Sequence, residues 1–494
     1  MNTDPARIPV IIGVGQFNDR DCVHDSLGLM VAALEKADAD AGGGWIGKLD
    51  SIAVVNQISF PRLGNCAEHL AQHFGIAPKI VEQTPYPTGE SPVQLLNEAA
   101  NRIGAGEISV AAIVGAEALR TAAERARAAT GEKKDALRDV ASGGTKSLMQ
   151  QHGLVAPTDL YPLYENATRA AWGQTLAEAQ AESGMIWAGM SAVAAANENA
   201  WIRKPQTADA IISVEADNRP IAFPYQKRMV ANSSVNQGAG FIVTSLAVAQ
   251  AAGVPAANII HVGMGAAAHE THNMLKRDQY EQPAGMVVTI EETLKRNRLT
   301  TADLDHVELY SCFPCVPKMA RRILGWPVDR PITAFGGLTF GGGPIGNYMS
   351  HAIASMVDKL RAERGTAMLF ANGGYATHFH GIVLSADPLP DAIFPHDYDV
   401  NPLADAMRGA VPEADDGYEG AATIESYTVF YNRDGSVKFG TIIARTAADA
   451  RVLARVDAVD EGMIAFLTDG AIEPVGAKGR TERGEDGLIH WRAA

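Results

Sequence analysis

At 494 residues the chain is too long for one ordinary domain, and its length points to about two to four. Apolar residues make up 47% and charged residues 20%, the composition of a soluble globular protein and not of a disordered or membrane-embedded chain. A formal charge of -15 argues against nucleic acid, which requires a basic surface, but leaves room for a phosphorylated small ligand held by one local basic patch.

Four cysteines, Cys22, Cys66, Cys312 and Cys315, are too few for a disulfide framework in a protein of this size. Met1 to Pro5 lack a charged-then-apolar leader pattern and no apolar run approaches a membrane span, so the cytoplasm is the expected compartment, with no membrane partner.

Ile8 to Gly15 reads as a buried strand, followed by a helix capped by Asp25 or Ser26 and running to about Ala39. Leu49 to Asn56 is a second strand, Cys66 to Phe74 a helix, and Ala77 to Glu82 a short strand. Thr84 to Pro92 holds three prolines and must be a loop. Ser91 as cap, with Pro92 at the first helical position, starts a helix to about Ile103. Ser109 to Gly115 is the next strand. Strands alternating with helices imply parallel crossovers and a layered α/β sheet.

From Arg120 to about Asn218 the pattern turns to alanine-rich helices, the mark of a lid inserted into a scaffold. The sheet resumes at Phe241 to Ser245 and Asn258 to Gly263. His269-Glu270-Thr271-His272 has no zinc-protease spacing, so no metal is expected. Ala284 to Arg296 is helical, and His306 to Tyr310 is a strand leading into Ser311-Cys312-Phe313-Pro314-Cys315. The two cysteines stand at a strand-to-helix junction, where a thiolate is favoured, but no thioredoxin-like unit accompanies them, so packing with some exposure to the site is preferred to a redox role.

Gly336 to Tyr348, with six glycines in thirteen residues, then opens onto a helix from Met349 to Leu360. Glycine serves where φ is positive or something approaches the backbone closely. A glycine run before a helix leaves N–H groups free at the positive end of the helix dipole, which suits an oxyanion, a thioester carbonyl or a phosphate. Gly341, Gly342, Gly343 and Asn347 are therefore candidate ligand contacts. Thr366 to Ala371 is a strand ending in Asn372-Gly373-Gly374, and the second half thus repeats the plan of the first. His378 and His380 share a face of the outgoing strand, as candidate acid or base groups or as structural histidines.

Asp387 to about Gly420 is acidic and proline-containing and reads as a linker. Beyond it, Thr423 to Tyr431, a turn at Asn432-Arg433-Asp434-Gly435, and Ser436 to Ala444 form a hairpin. Val452 to Val456, Met463 to Leu467 and Ile489 to Trp491 add short strands, together a small barrel of OB-like type.

Several of these segments resemble the thiolase superfamily. Gly-Gly, an apolar spacer and Gly343-Pro344-Ile345-Gly346 before a helix resemble the late thiolase loop Gly-His-Pro-x-Gly, with Gly343 at the histidine. Asn232-Ser233-Ser234-Val235-Asn236-Gln237-Gly238-Ala239 resembles the segment whose serine contacts the pantetheine arm of CoA, and Ser233 is the matching residue. Ile113 to Glu117 resembles the family's Gly-Gly-x-Glu. The β-rich tail resembles the extra domain of thiolase-like proteins of type 1. The resemblance implies a duplicated five-layered α/β fold: an N-terminal half over 1–119 and 219–255, an inserted helical loop domain over 120–218, a C-terminal half over 256–386, and an OB-like all-β domain over 421–494.

The chemistry-bearing positions depart from the family. Aligned through Glu98-Ala99-Ala100, Gly89 falls at the nucleophilic cysteine and Ser91 at the family serine; Ala371 stands for the second cysteine, and Tyr310 for a histidine ahead of Cys312. Ordinary thiolysis is therefore excluded. The implied ligand is CoA or an acyl-CoA, bound as substrate with no cofactor, with Ser91, Ser233, Lys227 and Arg228 among its contacts; Lys227 and Arg228 equally read as surface charges. Tyr310, Cys312, His378 and His380 are the catalytic candidates. Tyr310 is the residue of choice for acyl-transfer or aldol-type chemistry on the thioester, since a phenol can donate to an oxyanion or take a proton from an alcohol; packing of its ring is the competing reading. A non-catalytic acyl-CoA-binding or scaffold protein is the alternative function, and the chain is expected to be a monomer or a homodimer.

Overall fold

The computed structural model describes residues 4–130 and 147–493. The stretch 131–146 of the expected inserted unit lies outside the described residues.

The N-terminal half contributes β1 (Pro9–Asn18), β2 (Ser51–Val55), β3 (Ile80–Gln83) and β4 (Val110–Ala118). After the inserted unit come a short hairpin, β5 (Pro220–Ala222) and β6 (Tyr225–Gln226), and then β7 (Asn236–Ser245). The half-sheet runs β1-β7-β4-β2-β3, with β2 parallel to β3 and β4, and β7 antiparallel to β1 and β4. The second half contributes β8 (Ile260–Val262), β9 (Ala266–His269), β10 (His306–Leu309), β11 (Thr366–Gly373) and β12 (His378–Ser385). Its order repeats the first: β8 and β9 stand for β1, β12 for β7, β11 for β4 and β10 for β2. Where β3 would recur, Ile332 offers one carbonyl to Leu309. The halves meet where β1 pairs antiparallel with β8, Ile11 opposite Ile260.

Successive strand residues serve different layers, which is why these strands read as unbroken apolar runs. Val10, Ile12, Ile52 and Val54 join Leu29, Met30 and Leu34 of the Ser26–Asp40 helix in an outer core. Ile11, Ala53, Val55 and Ile113 turn inward instead. There the Ser91–Ala105 and Tyr348–Glu363 helices touch each other and strands of both halves, forming the middle layer of five. The Ala284–Arg296 helix covers β9 and β12 from outside.

The inserted unit includes the Pro157–Ala171 and Leu176–Ala196 helices. Ion pairs bind it to the Cys315–Leu324 helix: Lys318 donates to Glu165 at 2.5 Å with both side chains buried, and Arg321 and Arg322 converge on Glu182. Burial alone would raise the Glu182 carboxyl, but hydrogen bonds from Arg322, Gln174 and Arg321 hold it at about 2.

The C-terminal strands β13 (Gly420–Tyr431), β14 (Val437–Thr446), β15 (Arg451–Asp457), β16 (Lys478–Arg483) and β17 (Ile489–Ala493) close into a five-stranded barrel in the order β13-β14-β15-β17-β16-β13. Two expectations are corrected here. Met463 to Leu467 is helix, not strand: Asp460 caps the Glu461–Thr468 helix at Met463, and Met463, Ile464 and Leu467 turn one apolar face into the barrel. The stretch read as a linker is docked: the Asn401–Met407 helix buries Ala404 beside Val400 and Val288, and the Val400 N–H donates to Ala267. The barrel is also fastened to the rest. Phe430 pairs with Ala222 of β5, and Asn166 of the inserted unit donates to Tyr427 O at 2.9 Å.

Candidate functional site

The C-terminal ends of β10 and β11 meet the start of the central Ser91–Ala105 helix, bringing Tyr310, Asn372, Gly373, Gly89 and Glu90 together. At Gly89 there is no space for a side chain. A Cβ built there would lie 2.1 Å from the Asn372 carbonyl oxygen and 2.5 Å from the Tyr310 hydroxyl. The phenol thus occupies the room in which a side chain at position 89 would begin. The Tyr310 ring meets that of Tyr348 edge-on, centroids 5.6 Å apart, and the Tyr348 hydroxyl donates to Glu308 at 2.6 Å.

Sequence reasoning missed Glu90, which follows Gly89. It is buried; its Oε1 accepts from the Thr88 hydroxyl at 2.8 Å, and its Oε2 has no hydrogen-bond partner. That oxygen points at Gly373, where a Cβ would come within 1.9 Å of it. Burial pushes the Glu90 carboxyl up to about 7, with the Thr88 hydrogen bond working in the other direction. Burial also raises the Tyr310 phenol well above its ordinary value, with the titratable groups of Cys312 and Glu90 nearby working in the same direction. A phenol that keeps its proton beside a carboxyl that titrates near neutrality is an acid–base pair in character.

Cys312 lies in the same cluster, and no thiolate is favoured there: burial lifts the Cys312 thiol to about 12 and the Cys315 thiol well above its ordinary value. Desolvation outweighs whatever the helix start offers a thiolate. Asn372 Nδ2 donates to the Tyr161 hydroxyl at 2.8 Å and approaches Cys312 Sγ at 3.7 Å. The Tyr161 hydroxyl in turn donates to Gly374 O at 3.1 Å and accepts from the Ala376 N–H. Tyr161 comes from the inserted unit, in Leu160-Tyr161-Pro162, and only the tertiary fold brings it here. Asn372 Oδ1, like Glu90 Oε2, is buried without a partner.

In the glycine loop five backbone donors are already bonded within the protein. The Gly336 and Gly337 N–H groups donate to Thr333 Oγ1, that of Leu338 to Ser311 Oγ, that of Gly341 to Gly336 O, and that of Gly343 to Asn232 O. The loop is a tightly filled joint. Gly336 has φ 113° and leaves 2.5 Å between a would-be Cβ and that of Ala194; Gly342, at φ 110°, leaves 2.0 Å to Gln237 Oε1. The inserted unit covers it, Trp201 and Ile202 donating to Gly341 and Phe340.

The other singled-out residues fall as follows. Ser233 adjoins the loop, since Asn232 bonds to both Leu338 and Gly343. Asn347 donates to Gly115 O at 2.6 Å and accepts from Ser350, which joins the halves. Ser91 is the first helical residue, one later than a cap, and its Oγ accepts from the Thr88 N–H. Arg228 is already paired with Glu215 at 3.0 Å and Asp217 at 2.7 Å, while Lys227 beside it is exposed. His380 is buried, its Nε2 unpartnered, and burial followed by His396 depresses it to about 3. His378 meets the rings of His272 and His269 at 5.1 and 6.4 Å. Among the described residues no group of three or more His, Cys, Asp or Glu side chains is arranged to hold a metal ion. No described helix is long and apolar enough to cross a membrane.

A family model for the thiolase-like protein type 1 additional C-terminal domain matches residues 403–486. The crystal structure of a monomeric SCP2-thiolase like protein type 1 (STLP1) from Mycobacterium smegmatis is similar over 100% of both chains, with a TM-score of 0.84 and 29% identity. The Ltp2-ChsH2(DUF35) aldolase is similar over 78% of this chain and 99% of its own, with a TM-score of 0.60 and 17% identity. Human mitochondrial 3-ketoacyl-CoA thiolase in complex with CoA is similar over 78% of this chain and 99% of its own, with a TM-score of 0.58 and 15% identity. At those identities the last two show the fold alone. No curated protein matches the sequence.

Proposed function

The chain belongs to the thiolase-like proteins of type 1 with the additional C-terminal domain, and on that premise we propose that it binds CoA thioesters and acts on them by proton transfer, without an acyl-enzyme. The observation that carries this reading is the Tyr310 hydroxyl, set in the space of a side chain at Gly89 and next to Glu90. The CoA complex of a thiolase sharing the fold supports the ligand class, and an aldolase sharing the fold supports the reaction class.

The reaction is aldol-type cleavage of a β-hydroxyacyl-CoA. The Glu90 carboxylate takes the proton of the β-hydroxyl, the Cα–Cβ bond breaks, and a carbonyl product leaves. The electron pair passes to the thioester as an enolate, which the Tyr310 hydroxyl stabilises by a hydrogen bond and protonates at Cα. The proton on Glu90 then restores the phenol, so atoms and charge balance with no redox partner. The pantetheine arm runs along Ser233, and the protein works as a monomer, like its relative from Mycobacterium smegmatis.

One observation favours a second reading, a non-catalytic acyl-CoA-binding protein: five N–H groups of the glycine loop are already bonded within the protein and are not offered to a thioester oxygen. Calorimetry with CoA and acyl-CoAs, then a β-hydroxyacyl-CoA panel assayed for released aldehyde or ketone, separates the two. Cleavage should fall on the order of a hundredfold or more in Tyr310→Phe, with Tm unchanged. Binding without any cleavage selects the binding-protein reading. Absence of binding at millimolar acyl-CoA removes both.

A further inference from the structure

We propose that the pocket formed by His269, His272, His378 and Lys276 is a binding site for a phosphate group, inorganic phosphate or a phosphate monoester. It is a cavity of about 640 Å³ on the C-terminal half, walled by the end of β9, the loop that follows it and the start of β12. The three imidazoles gather around His378, with ring centroids at 5.1 and 6.4 Å, and among the described residues none of these rings is held by a hydrogen bond. The exposed Lys276 lines the same cavity.

The charges around the cavity are one-sided. Glu270 is the carboxylate in its wall, and it is turned away: Oε1 accepts from the Gly285 N–H at 2.7 Å and Oε2 from Arg408 at 2.9 Å. Arg408 also pairs with Asp405 on the outer side. The buried Arg277, whose charge acts on His378, donates to Ala376 O at 2.8 Å and to Thr377 Oγ1. Among the described lining residues Lys276 is thus the charged side chain left over once Arg408 has paired with Glu270, and the imidazoles add positive charge when protonated, in a chain whose formal charge is -15. A metal ion is the poorer occupant, because the lysine and arginine charges repel it and no free carboxylate completes a ligand set.

The site is held together by proton linkage. Burial first, then His272, His269 and Arg277, depress His378 to about 4, so the cluster by itself resists protonation there. A dianion reverses that repulsion and draws protons onto the rings. Above the second pKa of the phosphate, about 6 for a monoester, the ligand arrives without its proton, so binding draws one from solvent and affinity falls as pH rises further.

The inference does not depend on the CoA reading, although His378 stands opposite Gly373, the residue that Glu90 abuts. The test is calorimetry of the full chain with inorganic phosphate at about pH 6 and about pH 8.5. Saturable binding at the lower pH is expected, with at least a tenfold loss at the higher pH, where the remaining binding takes up a proton seen as a dependence on buffer ionisation heat. His272→Gln and Lys276→Gln alter exposed side chains and should each weaken binding severalfold without changing Tm. Competition by CoA but not by dephospho-CoA identifies the CoA 3′-phosphate as the source; failure of both to compete points to a separate phosphorylated compound. Absence of saturable phosphate binding overturns the proposal, as does binding that ignores both substitutions or both pH values. Zinc binding in place of phosphate would overturn it as well.

Discussion

Replacing Glu90 by glutamine should make the protein more stable at alkaline pH and leave it no better off in acid. The carboxyl titrates at 4.5 ordinarily and at about 7 in its buried place, so between those values the folded protein holds a proton that the unfolded chain has lost. Folding stability from this group is therefore full below 4.5 and declines as pH rises through 7. At about 1.4 kcal/mol per pH unit the whole difference amounts to roughly 3 kcal/mol. Glutamine keeps the acceptor for the Thr88 hydroxyl and cannot ionise. Urea unfolding of wild type and Glu90→Gln at about pH 5 and about pH 8 measures this directly, and the variant should gain of the order of 2–3 kcal/mol on wild type between the two pH values. Glu117 and Glu308, also raised by burial to about 7, tilt both proteins alike and cancel in the comparison. Equal differences at both pH values would refute the claim that position 90 carries a buried, proton-holding carboxyl. Activity tests the other half of the argument. If Glu90 is the base, Glu90→Gln abolishes cleavage while raising alkaline stability, a combination that a purely structural residue does not produce.

The layered fold was legible in the sequence because runs such as Val10-Ile11-Ile12 and Ile52-Ala53-Val54-Val55 are apolar at every position. That happens only when both faces of a strand are covered. The barrel was legible down to its hairpin turn, but Met463-Ile464-Ala465-Phe466-Leu467 is a short apolar run that fits strand or helix equally by composition. The cap that decides it, Asp460 on Met463, is weak evidence without the fold. The site divides in a similar way. Gly89 and Tyr310 were found because they stand at matched positions of a known motif. Glu90 was not, because a glutamate beside a glycine looks like any other until the surrounding helix, β11 and inserted unit have stripped it of water. Tyr161 lies 149 residues from Tyr310 in the chain and reaches the cluster only when its helix docks. The glycine loop also serves packing, for a physical reason. Glycines admit a ligand and admit a neighbouring chain by the same absence of Cβ, and here Ala194 and Gln237 take that space.

Iodoacetamide on the native protein should label Cys22 at most, since burial raises the Cys66 thiol to about 11, the Cys312 thiol to about 12 and the Cys315 thiol well above its ordinary value; mass spectrometry showing rapid adducts at Cys312 would contradict this. Gly336→Ala should cost about 1–3 kcal/mol in urea unfolding, because its positive φ and the Ala194 backbone at 2.8 Å leave a methyl group nowhere to go. Gly89→Cys, which puts a thiol back where thiolases carry their nucleophile, should give neither a stable protein nor thiolysis of acetoacetyl-CoA. Its Cβ would fall 2.1 Å from the Asn372 carbonyl, which is backbone at the end of β11 and cannot swing aside as a side chain would, and 2.5 Å from the Tyr310 hydroxyl. Adding Tyr310→Ala removes the second clash and leaves the first, so the double variant should recover only part of the loss. A Gly89→Cys protein that unfolds at the wild-type midpoint would mean that the end of β11 yields freely, and the case for Tyr310 as the occupant of the nucleophile's place would fall with it.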